Sequence, residues 1–240
     1  MENALKQIIY ETIFKGGWTQ IWAAFCCFIT AWIIFRALQK RGMKNVFFRE
    51  RLIFSLWLFG SLWWFFNYLA IMTIHYLSFE VGKFFLATAS IFIFLHLYCF
   101  LPVLLSYFTS NKRINFVLDI LFGIGWFSFT FYYLITSDII YRPAFKDYYA
   151  VASGLPTFGF LIGVLDFLFL TVALAVMLFN FKKEVFSLKD LSSFNIFFSI
   201  IIYAGASLLN VFLIYSGYLS YITFALVPIL TYFGYRKYLQ

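Results

Sequence analysis

Residues 194–240 read FNIFFSIIIYAGASLLNVFLIYSGYLSYITFALVPILTYFGYRKYLQ, two long apolar runs that meet at Tyr215-Ser216-Gly217-Tyr218. The second run ends in an aromatic and basic tag, Tyr235-Arg236-Lys237-Tyr238. An apolar run of about 20 residues is long enough to cross a bilayer as a helix. This stretch therefore predicts two membrane-spanning helices, and the rest of the chain repeats the pattern.

The composition places the whole chain in the polytopic membrane class. Of its 240 residues, 64% are hydrophobic and 12% are charged, and the mean hydropathy is +0.89. A soluble domain is about half apolar and about a quarter charged. Five further spans are predicted at about Trp18–Phe35, Leu52–Ile74, Lys83–Tyr107, Ile114–Ile135 and Leu155–Asn180. The predicted fold class is all-α, a polytopic seven-transmembrane-helix bundle forming one domain over residues 17–240.

Two segments outside the spans have a character of their own. Residues 1–16 carry apolar side chains at a helical period between polar ones, which predicts an amphipathic segment on the membrane surface. They lack the basic start and small-residue cleavage site of a signal peptide. The connection Ser137–Gly154 mixes charge, Tyr and Pro, a composition compatible with a small hairpin or lid.

The distribution of Lys and Arg predicts the orientation. Alternate loops on one side, from the basic loop Arg36–Arg51 to Arg236 and Lys237, contain thirteen of the 18 basic residues. Short loops rich in Lys and Arg stay in the cytoplasm. The N-terminus is therefore expected outside and the C-terminus inside, in the inner (cytoplasmic) membrane of a bacterium. Topology and contact with the lipid bilayer explain the net charge of +8, so nucleic acid is not an expected partner.

Polar side chains inside spans are the candidates for function, because a charged or strongly polar group in the bilayer is costly unless it is paired. Placed by depth, several of them fall between the midplane and the outer half, where a pocket for a small-molecule ligand would open to the outside. The candidates for this pocket are Asn67, His96, Asp166, Tyr203 and Asn210, with Trp63, Trp64 and Tyr215 as further walls. The alternative is that these groups only form hydrogen bonds between helices.

Motifs of enzymes and cofactor sites are missing from the sequence. It has no HExxH, no paired carboxylates at helical spacing within a span and no Gly-rich phosphate loop. The two histidines, His75 and His96, lie at different depths and do not suit bis-histidine haem. Cys26, Cys27 and Cys99 lie inside spans without CxxC spacing and are expected to be small core residues. No catalytic residue, metal site or cofactor is predicted.

The chain from Leu155 onward resembles the N-terminal seven-transmembrane sensor region of bacterial histidine kinases. The resemblance extends through spans two to four, at Trp57–Ile71, Pro102 and the turn Asn111-Lys112-Arg113. The features that carry the resemblance are Leu155-Pro156, the linker Lys182–Ser193, Ala204-Gly205-Ala206-Ser207, the turn Tyr215–Tyr218, the proline break Leu226-Val227-Pro228 and the exit Thr231–Leu239. In those kinases the last helix leads into signalling and kinase domains, and neither these domains nor kinase activity is expected here. The resemblance implies a receptor-like bundle that passes a signal to a separate protein, with Tyr235, Arg236 and Lys237 as the output surface.

The sequence thus leads to a non-enzymatic membrane sensor that passes a signal to a separate cytoplasmic or membrane partner. Two alternatives remain open. One is a transporter or channel for a small solute, although spans one to three and five to seven share no evident repeat of the kind that transporters use. The other is a structural subunit of a larger membrane complex.

Overall fold

The computed structural model describes residues 17–41, 48–108, 112–136, 140–144, 148–152, 168, 171, 175, 195, 196, 198–205 and 217–240. The predicted surface segment 1–16, most of span five and the linker Lys182–Ser193 lie outside these residues.

The described chain is helical apart from one hairpin. Its helices are α1 (Gly17–Arg41), α2 (Phe48–Tyr76), α3 (Phe79–Phe108), α4 (Lys112–Thr136) and α5 (Gly217–Leu239), with a helical segment at 198–205. Within the part of the chain that the structure describes, three helices are long and apolar enough to cross a membrane, over Trp18–Lys40, Arg51–Thr73 and Glu80–Phe100. The prediction of a helical protein with membrane-spanning segments is confirmed at this level. The number of seven spans stays a prediction.

The hairpin lies in the connection where the sequence was compatible with one. Strand β1 (Ile140–Ala144) pairs antiparallel with β2 (Tyr148–Ala152), with Tyr141 opposite Val151 and Pro143 opposite Tyr149. A two-stranded sheet has only edge strands, so Pro143 can lie in β1 without removing a hydrogen bond from a central strand. The hairpin option is confirmed and is the one departure from an all-α chain among the described residues.

Helix α1 has the residue distribution of a membrane helix rather than of a soluble one. Its large aromatic side chains Phe25, Phe28 and Trp32 are about half exposed, at 52%, 53% and 53%. Its buried face carries mostly small side chains at helical spacing, namely Ala23, Cys27, Thr30, Ile34 and Ala37. Small residues let helices approach closely, while lipid accepts large apolar groups on the outside. All three cysteines are buried in the core, as predicted.

The order of the helices follows from their contacts. Antiparallel neighbours meet along α1 and α2, where Ser61 Oγ donates to the Ala24 carbonyl at 2.9 Å, and along α3 and α4, where Trp126 Nε1 donates to the Phe94 carbonyl at 2.8 Å. Helices α2 and α3 are antiparallel too. Segment 198–205 runs antiparallel to α5, because Ser199 lies against Thr231 and Tyr203 against Phe224.

Helices α1 and α5 are parallel neighbours. Near their starts, Trp22 Nε1 donates to the Tyr221 carbonyl at 3.0 Å. At their ends, Lys40 Nζ donates to the carbonyls of Leu239 and Gln240, the second at 3.4 Å. The same offset of about 200 residues holds at both ends, so the two helices keep one register along their length.

Two sequence expectations need correction. The basic stretch expected as the loop Arg36–Arg51 is helical over 36–41 and 48–51. Ala, Leu, Gln, Lys and Arg are strong helix formers, and α1 continues beyond its apolar part. The proline break expected at Pro228 does not interrupt α5, which runs to Leu239. A membrane helix tolerates an internal proline because neighbouring groups satisfy the backbone freed by it.

Candidate functional site

The centre of the bundle is built around His96 of α3, whose side chain is 3% exposed. Its Nδ1 lies 2.7 Å from the carbonyl oxygen of Leu56 on α2. A carbonyl can only accept, so Nδ1 carries a proton and donates this bond. The Leu56 oxygen has two lone pairs and can take this bond beside the ordinary bond within its own helix. The contact therefore ties α3 to α2.

Gly60 makes the approach of His96 possible. A Cβ atom at residue 60 would lie 3.0 Å from His96 Nδ1, 3.1 Å from its Cε1 and 3.4 Å from the Tyr203 hydroxyl oxygen. Gly60 lies one helical turn after Leu56, directly beside the carbonyl that binds the imidazole. Any side chain at this position would occupy the space that the ring uses, so the glycine is required for the close contact rather than for a special backbone conformation.

Tyr203 joins the segment 198–205 to the same point. Its hydroxyl accepts a hydrogen bond from Trp64 Nε1 at 3.0 Å, and both side chains are buried. The Tyr203 ring meets the His96 ring edge to face, with centroids 5.2 Å apart. The Tyr203 side chain also interacts with the buried Cys27 thiol of α1. One tyrosine therefore touches α1, α2 and α3.

Aromatic rings complete this site, which we call the central cluster. Its members are Trp57, Trp63, Trp64, His96, Tyr203 and Phe224. The Trp57 ring meets the Tyr203 ring edge to face with centroids 5.0 Å apart, and Trp63 stacks on His96 at 6.3 Å. Phe224 connects α5 to the cluster, with its centroid 5.5 Å from Trp64 and 6.0 Å from Tyr203. Such aromatic pairs contribute about 0.5–1.5 kcal/mol each beyond the area they bury.

The chemistry available in the central cluster is hydrogen bonding and proton exchange at one imidazole and one phenol. Within the described ranges there is no group of three or more His, Cys, Asp or Glu side chains that could hold a metal ion. A His and a Tyr in edge contact, enclosed by tryptophans, form a polar pair inside an apolar shell. Rearranging this pair would change contacts of every helix that meets there.

The predicted pocket residues are placed as follows. His96 and Tyr203 are in contact, and Trp63 and Trp64 lie against them. Asn67 is partly buried and follows Trp63 and Trp64 by about one turn on α2, so it continues their face of the helix. Asp166 and Asn210, and the expected wall residue Tyr215, lie outside the described residues.

The predicted output surface divides into a buried part and an exposed part. Tyr235 is 2% exposed and belongs to the hydrophobic core, whereas Arg236 and Lys237 are exposed. Lys237 Nζ lies 5.0 Å from the ring centroid of Tyr238. The exposed basic end of α5 is therefore formed by Arg236 and Lys237, and Tyr235 anchors that end to the bundle.

Sequence reasoning missed Gly60, Trp57 and Phe224. A signal for two of them was present, because Trp57, Gly60 and Trp64 follow one another at spacings of three and four and thus share a helix face. A glycine between two tryptophans on one face indicates a place where another side chain approaches the backbone. No protein-family model, no curated protein and no solved structure matches the chain.

Proposed function

We propose that this chain is a non-enzymatic seven-helix membrane sensor, with its N-terminus outside and its C-terminus in the cytoplasm. It would pass a signal from the bundle to a separate cytoplasmic or membrane partner. The observation that carries the proposal is the central cluster, in which α2, α3, the segment 198–205 and α5 meet through one buried His–Tyr pair. A ligand that alters this pair would change the packing of all four elements together.

The parallel pair of α1 and α5 supports an odd number of spans. Two parallel helices that both cross a membrane need an odd count from the first to the last. Trp22 with Tyr221, and Lys40 with Leu239, give the same direction to both helices. Seven spans satisfy this condition, whereas six or eight do not. The distribution of Lys and Arg favours a cytoplasmic location for the C-terminal ends of α1 and α5.

The proposed coupling runs along α5. Phe224 contacts the central cluster, and the exposed Arg236 follows twelve residues later. At a rise of about 1.5 Å per residue these positions are about 18 Å apart along one helix. A helix that is packed at one end by aromatic contacts carries a small tilt or shift to the other end. The ligand would have to bind two arrangements of the cluster with different affinity, since only that difference shifts their populations.

A spin label at the end of α5 tests the coupling. The native cysteines are buried, so Lys237→Cys supplies an exposed thiol for labelling of the full chain in nanodiscs. We expect Tyr203→Phe and His96→Gln to change the mobility of the label. The matched control is Ser90→Ala on α3, because the buried Ser90 hydroxyl donates to the Leu86 carbonyl of its own helix, at 2.9 Å. An unchanged spectrum in folded Tyr203→Phe and His96→Gln chains would refute the coupling.

The partner is tested by photo-crosslinking in native membranes. A crosslinking amino acid in place of the exposed Arg236 is expected to trap one protein that the same group in place of the exposed Glu80, on the first turn of α3, does not. Crosslinks to many subunits of one stable assembly at both positions would support the structural subunit instead. Solute flux in proteoliposomes that depends on His96 would support the transporter.

A further inference from the structure

The ends of α1 and α5 each carry an aromatic residue followed four positions later by an arginine. These pairs are Trp32 with Arg36 on α1 and Tyr232 with Arg236 on α5. The register of the two helices brings the pairs to the same level, because Lys40 Nζ reaches the carbonyls of Leu239 and Gln240. Arg36 is one turn before Lys40, and Arg236 is one turn before Gln240. The two arginines therefore lie at the same level on neighbouring helices.

Both pairs lie on the outer side of the contact between α1 and α5. Trp32 is 53% exposed and Tyr232 is 45% exposed, and both arginines are exposed. Tyr221 contacts Trp22 of α1. Tyr232 follows Tyr221 by eleven residues, which is about three helical turns, so it lies on the same side of α5, near α1. The inward side of each helix is buried and cannot present these residues. We call the four residues Trp32, Arg36, Tyr232 and Arg236 the basic groove.

The contacts made by Lys40 and Arg36 favour binding of an anion in the basic groove. Lys40 is engaged with the last carbonyls of α5 and offsets the negative end of that helix. The Arg36 guanidinium carbon lies 5.9 Å from the centroid of the Trp32 ring, which keeps the arginine on the outer face. Stacking on an aromatic ring leaves the edge of a guanidinium available for hydrogen bonds to phosphate oxygens.

We propose that the basic groove binds the phosphate of an anionic phospholipid headgroup. Two arginines at one level can take the phosphate oxygens as bidentate donors. One turn deeper, Trp32 and Tyr232 are placed where aromatic rings meet the boundary between headgroups and acyl chains. These exposed aromatics favour a lipid over a free phosphate ion. The proposal depends on insertion of α1 and α5 in a membrane. It goes beyond the sensor function proposed above and shares Arg236 with the proposed output surface.

Binding of phosphatidylglycerol to the purified full chain in neutral detergent, followed by native mass spectrometry, tests the groove. Arg36→Gln and Arg236→Gln are each expected to weaken binding roughly tenfold, the loss of one charge-assisted hydrogen-bond donor group. Arg36→Lys retains the charge but not the bidentate fork, so an intermediate loss is expected. The matched control is Arg51→Gln, an exposed arginine of α2 on the other flank of α1, which should change binding by less than about twofold.

Several outcomes would overturn the proposal. A loss in Arg51→Gln equal to that in Arg36→Gln would show a general attraction to the basic end of the bundle. Unchanged binding in both Arg36→Gln and Arg236→Gln would exclude the groove, and circular dichroism confirms that each variant is folded. Inorganic phosphate and phosphatidylcholine serve as comparison ligands. If inorganic phosphate binds as tightly as phosphatidylglycerol, the assignment to a lipid headgroup is wrong.

Discussion

Replacing Gly60 with alanine is the most direct perturbation of the central cluster. The new methyl group would stand 3.0 Å from His96 Nδ1 and 3.1 Å from Cε1, closer than carbon and nitrogen atoms normally approach without a bond. The imidazole cannot easily move away, because Nδ1 is held by the Leu56 carbonyl at 2.7 Å and the ring is stacked against Trp63. The strain must therefore be taken up by displacing His96 or by separating α2 from α3.

The magnitude follows from two opposing effects. Gly to Ala in a helix interior stabilises by about 0.5–1 kcal/mol, whereas forcing an extra carbon into a packed core costs about 1–3 kcal/mol. We expect Gly60→Ala to lower the free energy of unfolding by up to about 2 kcal/mol. Gly125→Ala on α4 is the matched control, since no atom of the described residues lies within 4 Å of its added Cβ. It shows the helix effect alone and is expected to be neutral or stabilising.

Reversible unfolding of the two variants in mixed micelles titrated with sodium dodecyl sulfate, followed by circular dichroism, measures the difference. A second comparison isolates the contact: in a His96→Ala chain the ring is gone, and Gly60→Ala should lose its cost. If Gly60→Ala is as harmless as Gly125→Ala, or as harmful with His96→Ala as without it, the close packing of the imidazole on α2 is not what the structure describes.

Three further changes address the hydrogen bonds around the cluster and at the end of α5. Tyr203→Phe leaves the indole N–H of Trp64, which is 2% exposed, without its acceptor, and should cost about 1–2 kcal/mol in the same unfolding titration; no loss would show that the indole finds another partner. Thr231→Val should cost only about 0.6 kcal/mol, because Ser199 Oγ keeps its bond to the carbonyl three residues earlier, at 2.6 Å. Ser199→Ala should cost more, because Thr231 then loses its acceptor, and the reverse order would contradict this assignment. Lys40→Met removes the donor to the carbonyls of Leu239 and Gln240, so hydrogen exchange should quicken in the final turn of α5 and not at the opposite end of the bundle.

The predictability of this protein from its sequence differs between fold and site. Apolar length and loop charge were sufficient to locate α1 to α4. A membrane helix is recognised by the total hydrophobicity of about 20 consecutive residues, so no single residue decides it. The ends of helices were not predicted, since residues 36–41 are charged and still helical. His96 and Tyr203 were recognisable as polar groups in apolar spans. The contact between these two side chains could not be predicted. It depends on Gly60, which has no side chain and so leaves room for the imidazole.

The parallel contact of α1 and α5 has a consequence for the biogenesis of the protein. Trp22 and Tyr221 are separated by 199 residues, so the partner of α1 does not exist until most of the chain has been translated. At about 5–20 residues per second, α1 waits about 10–40 s for α5. During that interval the α5-facing side of α1 must be covered by lipid or by the insertion machinery. Closure of the α1–α5 seam is therefore a late step of assembly, and slow translation of the last third of the chain would lengthen the exposure.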